Sequence, residues 1–337
     1  MPKIFFVGAT GRIGGTVLQA IVEKYQSKID LSALVRDKEK GKMLVKRYAR
    51  ITLVVGSLED LDLIEAAANE ADIVINCAWD IGHEAGIKAI IRGLAKRPKG
   101  YYIHTSGAAA ISDEPSGSIA GKKIWDDVTD IAELTSLPDT AYHRVTDKIV
   151  LATHPNVNTA IISPGSVYGI DPLTEHPPMT FPWILPIARQ LHTGFTISEG
   201  INIVSLVHLY DLARLFLLLV SNALGEYRAN VPQSEIWGPE AYYFAAAYEC
   251  SFRDFMTAIL PLLKERGIVK SETIEQLDLR EAQKLGGRFF AIAFGTNMRI
   301  RSSRAKKFLK WQPEMPAPLD MDTLKQAIEL ALKQENQ

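Results

Sequence analysis

The feature that most constrains this chain lies in its first fourteen residues, where an apolar strand leads directly into a glycine-rich turn. Residues 4–7 are β-forming, Gly8, Gly11 and Gly14 follow at every third position, and apolar side chains then recur at helical spacing up to residue 21. The free amides and the dipole at such a helix start bind anions, typically a dinucleotide diphosphate. Gly8 allows the tight turn, Gly11 lets the backbone approach the phosphates, and Gly14 lets the helix pack on the strand. We therefore predict a dinucleotide site at this turn.

Size and composition are those of an ordinary globular enzyme. The chain has 337 residues, 47% hydrophobic and 23% charged, and its formal net charge of -1 offers no basic surface for nucleic acid. Two cysteines, Cys77 and Cys250, are too few for a disulfide framework. The longest apolar run, residues 215–220, is too short to cross a membrane, and the strand at Lys3 argues against a signal peptide. We expect a cytoplasmic monomer or homodimer that binds a small molecule, with no nucleic-acid or membrane partner.

Strand and helix patterns alternate through the first half of the chain. After the first strand, strands are predicted over residues 31–35, 51–55, 72–77, 101–105 and 159–163. Helices are predicted over residues 12–24, 38–48, 61–70, 83–95 and 140–154. This alternation predicts an α/β fold, a doubly wound parallel sheet of the Rossmann type, with ligands at the carboxyl ends of the strands.

The second half of the chain is different in character. Prolines cluster there, at Pro172, Pro177, Pro178, Pro182 and Pro186. Such a cluster predicts irregular segments, and a helix is predicted further on, over residues 209–219. Aromatic residues after the cluster indicate an apolar pocket. We expect a dinucleotide-binding domain over residues 1–168, to which residues 201–225 return, and a smaller substrate-binding lobe over residues 169–337.

The residue after the second predicted strand distinguishes the two nicotinamide dinucleotides. A carboxylate there would bind a ribose 2′-hydroxyl and repel a 2′-phosphate. Arg36 occupies the position and Arg12 lies in the glycine turn, so NADP(H) is favoured, because guanidinium groups pair with phosphate. Two alternatives stay open: Asp37 turns inward in its place, or Arg36 is only a solvated loop charge.

Further cofactor contacts are expected where the next strands end. Ser57 and Leu58 follow the third strand, at the adenine edge. Cys77 and Ala78 follow the fourth strand, where small residues let the ribose and phosphates pass closely.

Four segments together point to a known family. The glycine turn at 8–14 is followed by Leu34-Val35-Arg36, and the later segments are SPGSVYG at 163–169, VHLYDLA at 207–213 and SRAKKFLKWQP at 303–313. They resemble the short-chain dehydrogenase/reductase superfamily, in its extended, NAD-dependent epimerase/dehydratase-like and NmrA-like branches. The resemblance spans nearly the whole chain and implies an NAD(P)-binding Rossmann fold with oxidoreductase chemistry.

The catalytic positions depart from the family pattern. Family reductases use a Tyr and a Lys four residues apart on one helix, so that the ammonium lowers the pKa of the phenol, and a Ser or Thr after the fifth strand. Lys148 matches the lysine, but Arg144 stands where the tyrosine is expected. Tyr142 would point about 120° away from Lys148 on a regular helix. Ser106 lies one residue early, with Gly107 at the usual hydroxyl position.

Each catalytic candidate has a structural alternative. Tyr142 donates the proton if the helix start is irregular, or it only packs there. Lys148 steadies the nicotinamide ribose, and Arg144 either clamps a substrate anion or forms a surface ion pair. Ser106 and Thr105 hydrogen-bond the substrate or nicotinamide, or they cap the next segment.

The resemblance and the turn pattern together give one set of cofactor-binding residues. They are Gly8, Thr10, Gly11, Arg12, Ile13, Gly14, Arg36, Ser57, Leu58, Cys77, Ala78, Thr105, Lys148, Pro164, Ser166 and Val167. We expect no metal site, because the histidines and cysteines lack ligand spacing. Asp147 follows His143 by four residues and is expected to pair with it.

Three functions are compatible with these patterns. The first is an NADP(H)-dependent reductase of a small, cyclic or aromatic, secondary-metabolite-like carbonyl compound. The second is a non-redox isomerase, lyase or cyclase on the same scaffold, which the altered Tyr/Lys spacing favours. The third is a regulator that senses NADP without turnover.

Overall fold

The computed structural model describes residues 1–152, 154–171, 175–229 and 231–335. The strands, in chain order, are β1 (Lys3–Val7), β2 (Asp30–Val35), β3 (Ile51–Val55), β4 (Ile73–Asn76), β5 (Gly100–Thr105), β6 (Trp125–Asp126), β7 (Val157–Pro164), β8 (Ser166–Tyr168), β9 (Gly194–Ile197), β10 (Ile203–His208), β11 (Tyr242–Ala245), β12 (Tyr248–Ser251), β13 (Ile274–Leu277) and β14 (Ile300–Arg301).

The helices, in chain order, are α1 (Arg12–Tyr25), α2 (Lys38–Arg47), α3 (Leu61–Glu70), α4 (Glu84–Ala95), α5 (Ile131–Leu134), α6 (Arg144–Leu151), α7 (Thr180–Leu191), α8 (Leu209–Ala223), α9 (Gln233–Ile236), α10 (Phe252–Glu265), α11 (Leu279–Gly295), α12 (Ser303–Leu309) and α13 (Met321–Glu335). Short 3₁₀ helices lie at Gln26–Lys28 and Ala108–Ile111.

One parallel sheet of seven strands organises the first half of the chain, in the order β11-β7-β5-β4-β1-β2-β3. Every pairing in this sheet is parallel. Val7 at the end of β1 pairs with Leu34 of β2 and with Asn76 of β4, so these strands end at one edge. The predicted Rossmann-type sheet is confirmed.

Helices cover both faces of the sheet because its central strands are apolar on both sides. β1 and β4 are buried along nearly their whole length, as strands between two helical layers must be. α1 and α8 pack on one face, through side chains such as Val17 and Phe216. α3 and α4 pack on the other face, through side chains such as Ile64 and Ile87.

A second apolar core lies in the later part of the chain and is formed by α7, β9, α10, α11 and α13. It includes Phe181, Phe195, Met256, Phe290 and Ile328, all buried. The range 169–337 is not confined to this core, however. α8 packs on α1, β11 extends the sheet beside β7, and α12 packs on β11. The chain thus returns to the sheet beyond residue 225 as well, because the outer strand and its helical layer need this cover.

Two local predictions are corrected. α6 begins at Arg144 instead of residue 140, because His143 takes a left-handed backbone conformation with φ 62°. Pro182 and Pro186 lie in a helix, α7, and not in an irregular segment. Pro182 is in the first turn, where the amide has no partner in any case. The predicted break at Pro172 falls outside the described residues.

Among the described residues, no helix combines the length and the apolar character that crossing a bilayer requires.

Candidate functional site

The glycine turn between β1 and α1 is here called the glycine cradle (Gly8, Gly11 and Gly14), and at Gly8 and Gly14 it has room for nothing larger than glycine. Gly8 has φ +85°, and a Cβ there would lie 2.5 Å from the amide nitrogen of Ala78. A Cβ on Gly14 would lie 2.0 Å from the carbonyl oxygen of Gly8. The turn closes through the Gly11 amide, which donates to Gly8 O at 3.0 Å.

The start of α1 is open to an anion. Gly11 at its N-cap provides no side-chain cap, and the first turn contains no acidic residue. Thr10 and Ile13 beside it are half-buried. The unpaired amides and the positive end of the helix dipole therefore face the space where the cradle lets another molecule approach.

Arg36 stands free at the end of β2. Its side chain is exposed, and it forms no hydrogen bond or ion pair with any residue in the described ranges. Asp37 does not turn inward, since its Oδ1 caps α2 by accepting from the amides of Glu39 at 2.8 Å and Lys40 at 3.3 Å. Of the two charges at this edge, the cation is therefore the one available to a ligand.

Arg12 is committed to the protein itself. Its Nη2 donates to the carbonyl oxygens of Val167 and Gly169, each at 2.9 Å. Burial lowers the pKa of Arg12 to about 10, against the opposing effect of Asp171. The side chain thus fastens the cradle to β8 and is not free to pair with a phosphate, which corrects the expectation from its place in the turn.

The predicted contacts after β3, β4 and β5 lie along the same sheet edge. Ser57 donates to Asp60 Oδ2 through both its amide, at 2.6 Å, and its hydroxyl, at 3.1 Å, and Leu58 is buried. Burial raises the pKa of Cys77 to about 12, with a hydrogen bond from Thr105 opposing it. Cys77 is therefore a small neutral side chain at this edge and not a nucleophile.

A cleft of about 350 Å³ begins beside the cradle. Ile13, Cys77 and Ser166 line it on the sheet side, together with Val167. Pro164, which ends β7, is buried behind them. The opposite side of the cleft belongs to α7 and α11 of the second lobe. The cleft therefore lies between the two cores, where ligands of such folds bind.

Aromatic side chains continue the cleft away from the cradle. This aromatic wall consists of Trp79, Tyr142, Trp183, Phe289 and Phe294. Their rings meet edge to face, with centroids 6.2 Å apart for Trp79 and Phe289, 6.3 Å for Tyr142 and Phe289, and 5.4 Å for Trp183 and Phe289. Trp183 and Phe294 line the cleft. Trp79 remains 54% exposed and Phe289 38% exposed, so the wall also presents apolar surface beside it.

A buried polar cluster lies where β4 and β5 end, against the start of α6. The first part of it centres on Asp80, which is only 2% exposed. His143 Nδ1 lies 2.8 Å from Asp80 Oδ1 and 3.0 Å from Oδ2, and the Thr146 hydroxyl donates to Oδ2 at 2.5 Å. His104 Nε2 lies 3.7 Å from the same oxygen. The ring of His143 is thereby held in one orientation.

The second part of the buried polar cluster centres on Asp147, one turn along α6. Its Oδ2 accepts from the hydroxyls of Ser106, at 3.0 Å, and Tyr242, at 3.2 Å. The expected pairing of Asp147 with His143 is not formed, since His143 is bonded to Asp80. Ser106 is thus engaged with the protein at the end of β5.

The environment separates the protonation behaviour of these groups. Burial opposes ionisation of Asp80, but the hydrogen bonds and charges of His104 and His143 outweigh it and hold its pKa well below the usual range. For His143, burial is likewise outweighed by Asp80, and the pKa is raised. Burial dominates at Asp147, whose pKa rises to about 6 although both imidazoles oppose this.

Two predicted catalytic residues lie outside the cluster. Lys148 is on the solvent side of α6, where its ammonium is 3.0 Å from Asp139. Arg144 is buried and donates to the backbone oxygens of Leu137, at 3.0 Å, and Thr135, at 2.6 Å. On α6, Asp147 faces Ser106, whereas Lys148, one position further along the helix, points about 100° away from it and toward solvent. Neither Lys148 nor Arg144 is among the residues that line the cleft. Tyr142 belongs to the aromatic wall through its contact with Phe289.

Asp80 and His104 were not among the predicted site residues, and His143 was predicted only to pair with Asp147. One signal was present: His143 and Asp147 have the same spacing of four residues as the Tyr and Lys of family reductases. The expected lack of a metal site remains a prediction. Ligand atoms of Asp80, His104 and Asp147 lie within 4.8 Å of one another, but both oxygens of Asp80 already accept hydrogen bonds.

Comparison with known proteins agrees with this architecture. A family model for NAD(P)H-binding domains matches residues 8–130. The chain is 31% identical to the oxidase ucsJ of an Acremonium species over 330 residues, 93% of each chain. Among solved structures, it resembles the Bacillus anthracis dTDP-glucose 4,6-dehydratase in complex with NAD, with a TM-score of 0.67, 15% identity and 100% and 98% of the two chains covered. It also resembles a human epimerase family protein with NADPH, with a TM-score of 0.60 and 15% identity; the match covers 97% of this chain and 99% of the human protein.

The fold and the glycine cradle define an NAD(P)-binding protein of the Rossmann type. The chain belongs to the same family as the oxidase ucsJ and contains an NAD(P)H-binding domain. Its fold is that of the extended, epimerase/dehydratase-like short-chain dehydrogenases/reductases. The predicted family is confirmed, and so is its oxidoreductase-like character with a nicotinamide cofactor.

Proposed function

We propose that this protein is an NADP(H)-dependent oxidoreductase that interconverts a carbonyl group and an alcohol on a small, flat and largely apolar compound. The observation that carries the proposal is the continuity of three features along one sheet edge. An unpaired arginine follows β2, the glycine cradle follows β1, and the aromatic wall surrounds the far end of the cleft.

The residues present suit a dinucleotide. Side chains at Gly8 and Gly14 would collide with the protein's own backbone at 2.5 and 2.0 Å, so these glycines let the turn pack tightly between β4 and α1. Gly11, exposed at the start of α1, leaves the amides there open to a diphosphate. The α1 amides would hold the diphosphate, and Arg36 would hold a 2′-phosphate through paired hydrogen bonds. Ser57 and Leu58 would border the adenine, and Cys77, Ala78, Ser166 and Val167 would border the rest. When bound, the nicotinamide supplies or accepts a hydride.

The substrate class follows from the aromatic wall. Aromatic side chains with exposed faces favour flat apolar ligands, which they contact by stacking or edge-on. A relative with 31% identity is named an oxidase, which supports redox chemistry over epimerisation or dehydration.

Absorbance at 340 nm with NADPH and a panel of cyclic and aromatic ketones and aldehydes tests the proposal. We expect steady oxidation of NADPH, with one alcohol product formed for each NADPH consumed. NADH should support a much lower rate. Substrate conversion without net loss of NADPH would instead indicate an isomerase, lyase or cyclase. Tight NADPH binding with no conversion would indicate a sensor, and a preference for NADH would remove the role of Arg36.

A further inference from the structure

His143 occupies a conformation that few residues adopt. It is one of the non-glycine residues with positive φ, at 62°, immediately before α6. This left-handed backbone costs about 1 kcal/mol or more for an ordinary residue and is often found where a functional side chain must be aimed. The hydrogen bonds of Asp80 to Nδ1, at 2.8 and 3.0 Å, fix the direction of the ring.

The other ring nitrogen is aimed at the sheet edge. A Cβ built on Gly107 would lie 2.8 Å from His143 Nε2, so the ring stands directly over the end of β5. The imidazole fits there only because residue 107 is a glycine and has no side chain. Because Asp80 is ionised, its carboxylate can only accept a hydrogen bond, so His143 Nδ1 carries the proton that it donates to Asp80. Nε2 is then the ring nitrogen that can exchange a proton with a substrate.

The imidazole also borders the aromatic wall. Its ring centroid lies 6.1 Å from that of Trp79, which in turn meets Phe289 of the aromatic wall. The β4 and β5 ends lie next to β1 in the sheet, and the cradle follows β1. His143 therefore lies beside the aromatic wall and at the same sheet edge as the cradle. A substrate held by the wall would there meet the far end of a dinucleotide.

We propose that His143 is the catalytic acid and base of this enzyme, with Asp80 as its positioning residue, in place of the family's tyrosine and lysine. This inference rests on the proposed function. In the reductive direction the Nε2–H bond breaks and the proton passes to the carbonyl oxygen, while the carbonyl carbon receives the hydride from the nicotinamide. The products are the alcohol, the oxidised cofactor and neutral imidazole, which regains a proton from water. The oxidative direction reverses each transfer.

The surroundings of His143 explain how it can hold that proton. Three titratable groups face it: Asp80 after β4, His104 on β5 and Asp147 on its own helix. Asp80 raises the pKa of His143 despite burial, and Asp147 contributes in the same direction. Lys148, which would serve a catalytic phenol, instead pairs with Asp139 in solvent.

The first test compares His143→Gln with His192→Gln. His192 is an exposed histidine that also has a left-handed backbone, with φ 59°, at the end of α7, so it controls for loss of a strained imidazole. We expect His143→Gln to lower kcat by about 100- to 10,000-fold, the usual effect of removing a general acid, and His192→Gln to leave it unchanged. NADPH affinity, measured by fluorescence titration, should be retained in both variants and reports that they are folded.

The second test uses Asp80→Asn and a readout that does not require turnover. NMR titration of the histidine ring signals should show the pKa of His143 falling in this variant. The reductive rate requires imidazolium, so it should decline as pH rises through the pKa of His143, and Asp80→Asn should move that decline to lower pH. An unchanged His143 pKa and an unchanged pH profile would overturn the role of Asp80.

The outcomes separate this inference from the proposed function. If wild-type protein turns over but His143→Gln keeps its kcat within about threefold, the assignment of the acid is wrong and the function stands. A loss of about a thousandfold in Tyr142→Phe would assign the proton to Tyr142 and overturn the inference as well. If wild-type protein binds NADPH without any turnover, the proposed function fails and the inference fails with it.

Discussion

The two ends of the cleft are built from different parts of the polypeptide. The glycine cradle is made of backbone, with open amides at the start of α1 and no side chain that titrates. The buried polar cluster is made of side chains from the end of β4, from β5 and its end, from the start of α6 and from β11, and most of them are joined by hydrogen bonds. The cradle can therefore bind any dinucleotide that presents a diphosphate, whereas the chemistry at the other end depends on the identity of a few residues. Substitutions at the two ends should consequently fail in different ways.

The largest effect is expected at the cradle, for Gly14→Ala. The added methyl group would lie 2.0 Å from Gly8 O, and backbone on both sides must move to accommodate it. We expect NADPH affinity to fall by roughly 100-fold or more, equivalent to about 3 kcal/mol of overpacking, as measured by fluorescence titration. Gly15→Ala is the matched control, because its methyl would meet only the Asp171 carboxylate, at 3.0 Å. Equal effects of the two variants would contradict the cradle geometry.

A smaller and selective effect is expected for Arg36→Ala. Loss of a charged hydrogen-bonding partner costs about 1.5–3 kcal/mol, so NADPH affinity should fall about 10- to 100-fold. NADH affinity should change little, because its ribose bears no 2′-phosphate. Isothermal titration with both nucleotides measures the difference, with Lys38→Ala as an exposed neighbouring control. Parallel losses for the two nucleotides would show that Arg36 does not recognise the phosphate.

Between the two ends, Phe289→Ala should affect substrate binding alone. Removing an aromatic contact of about 1–1.5 kcal/mol should raise KM roughly tenfold while leaving kcat and NADPH affinity near their wild-type values. Tyr210→Ala is a suitable control, since Tyr210 is also 38% exposed but lies on α8, away from the aromatic wall. A large fall in kcat with constant KM would mean that the wall positions the reacting groups and does more than bind.

The contrast between the two ends also explains what the sequence could predict. The cradle is local: strand, turn and helix follow one another within the first 25 residues, and the spacing of the glycines defines the geometry. The order of strands and helices was predictable for the same reason, because each element has its own periodicity. Arg36 was identified because it directly follows a strand.

The buried polar cluster is non-local, and there the sequence predictions failed. Asp80 and His143 are 63 positions apart, and nothing in either neighbourhood announces their contact. The helix that carries the site was predicted from residue 140, but it begins at Arg144. That shift of four residues reflects the left-handed backbone at His143, which no periodicity reports. Lys148 and Arg144 entered the predicted site through the family pattern, whereas the structure brings Asp147 to Ser106 and His143 to Asp80.

The smallest effect concerns stability, at Asp147. Its pKa is about 6 in the folded protein, against about 3.9 for an unfolded chain. Asp147 therefore keeps its proton to higher pH in the folded state than in the unfolded chain. Its contribution to the free energy of unfolding is complete below about pH 4 and is lost as the pH rises through about 6. Two pKa units correspond to about 3 kcal/mol at most.

Asparagine at position 147 cannot ionise, and its Oδ1 can accept the hydrogen bonds from Ser106 and Tyr242. The melting temperature of Asp147→Asn should therefore equal that of the wild type near pH 4 and exceed it by a few degrees at pH 7 to 8. Asp139→Asn, at an exposed position, is the control. A lower melting temperature for Asp147→Asn at pH 8 would mean that the neighbouring imidazoles stabilise the carboxylate more than burial opposes it.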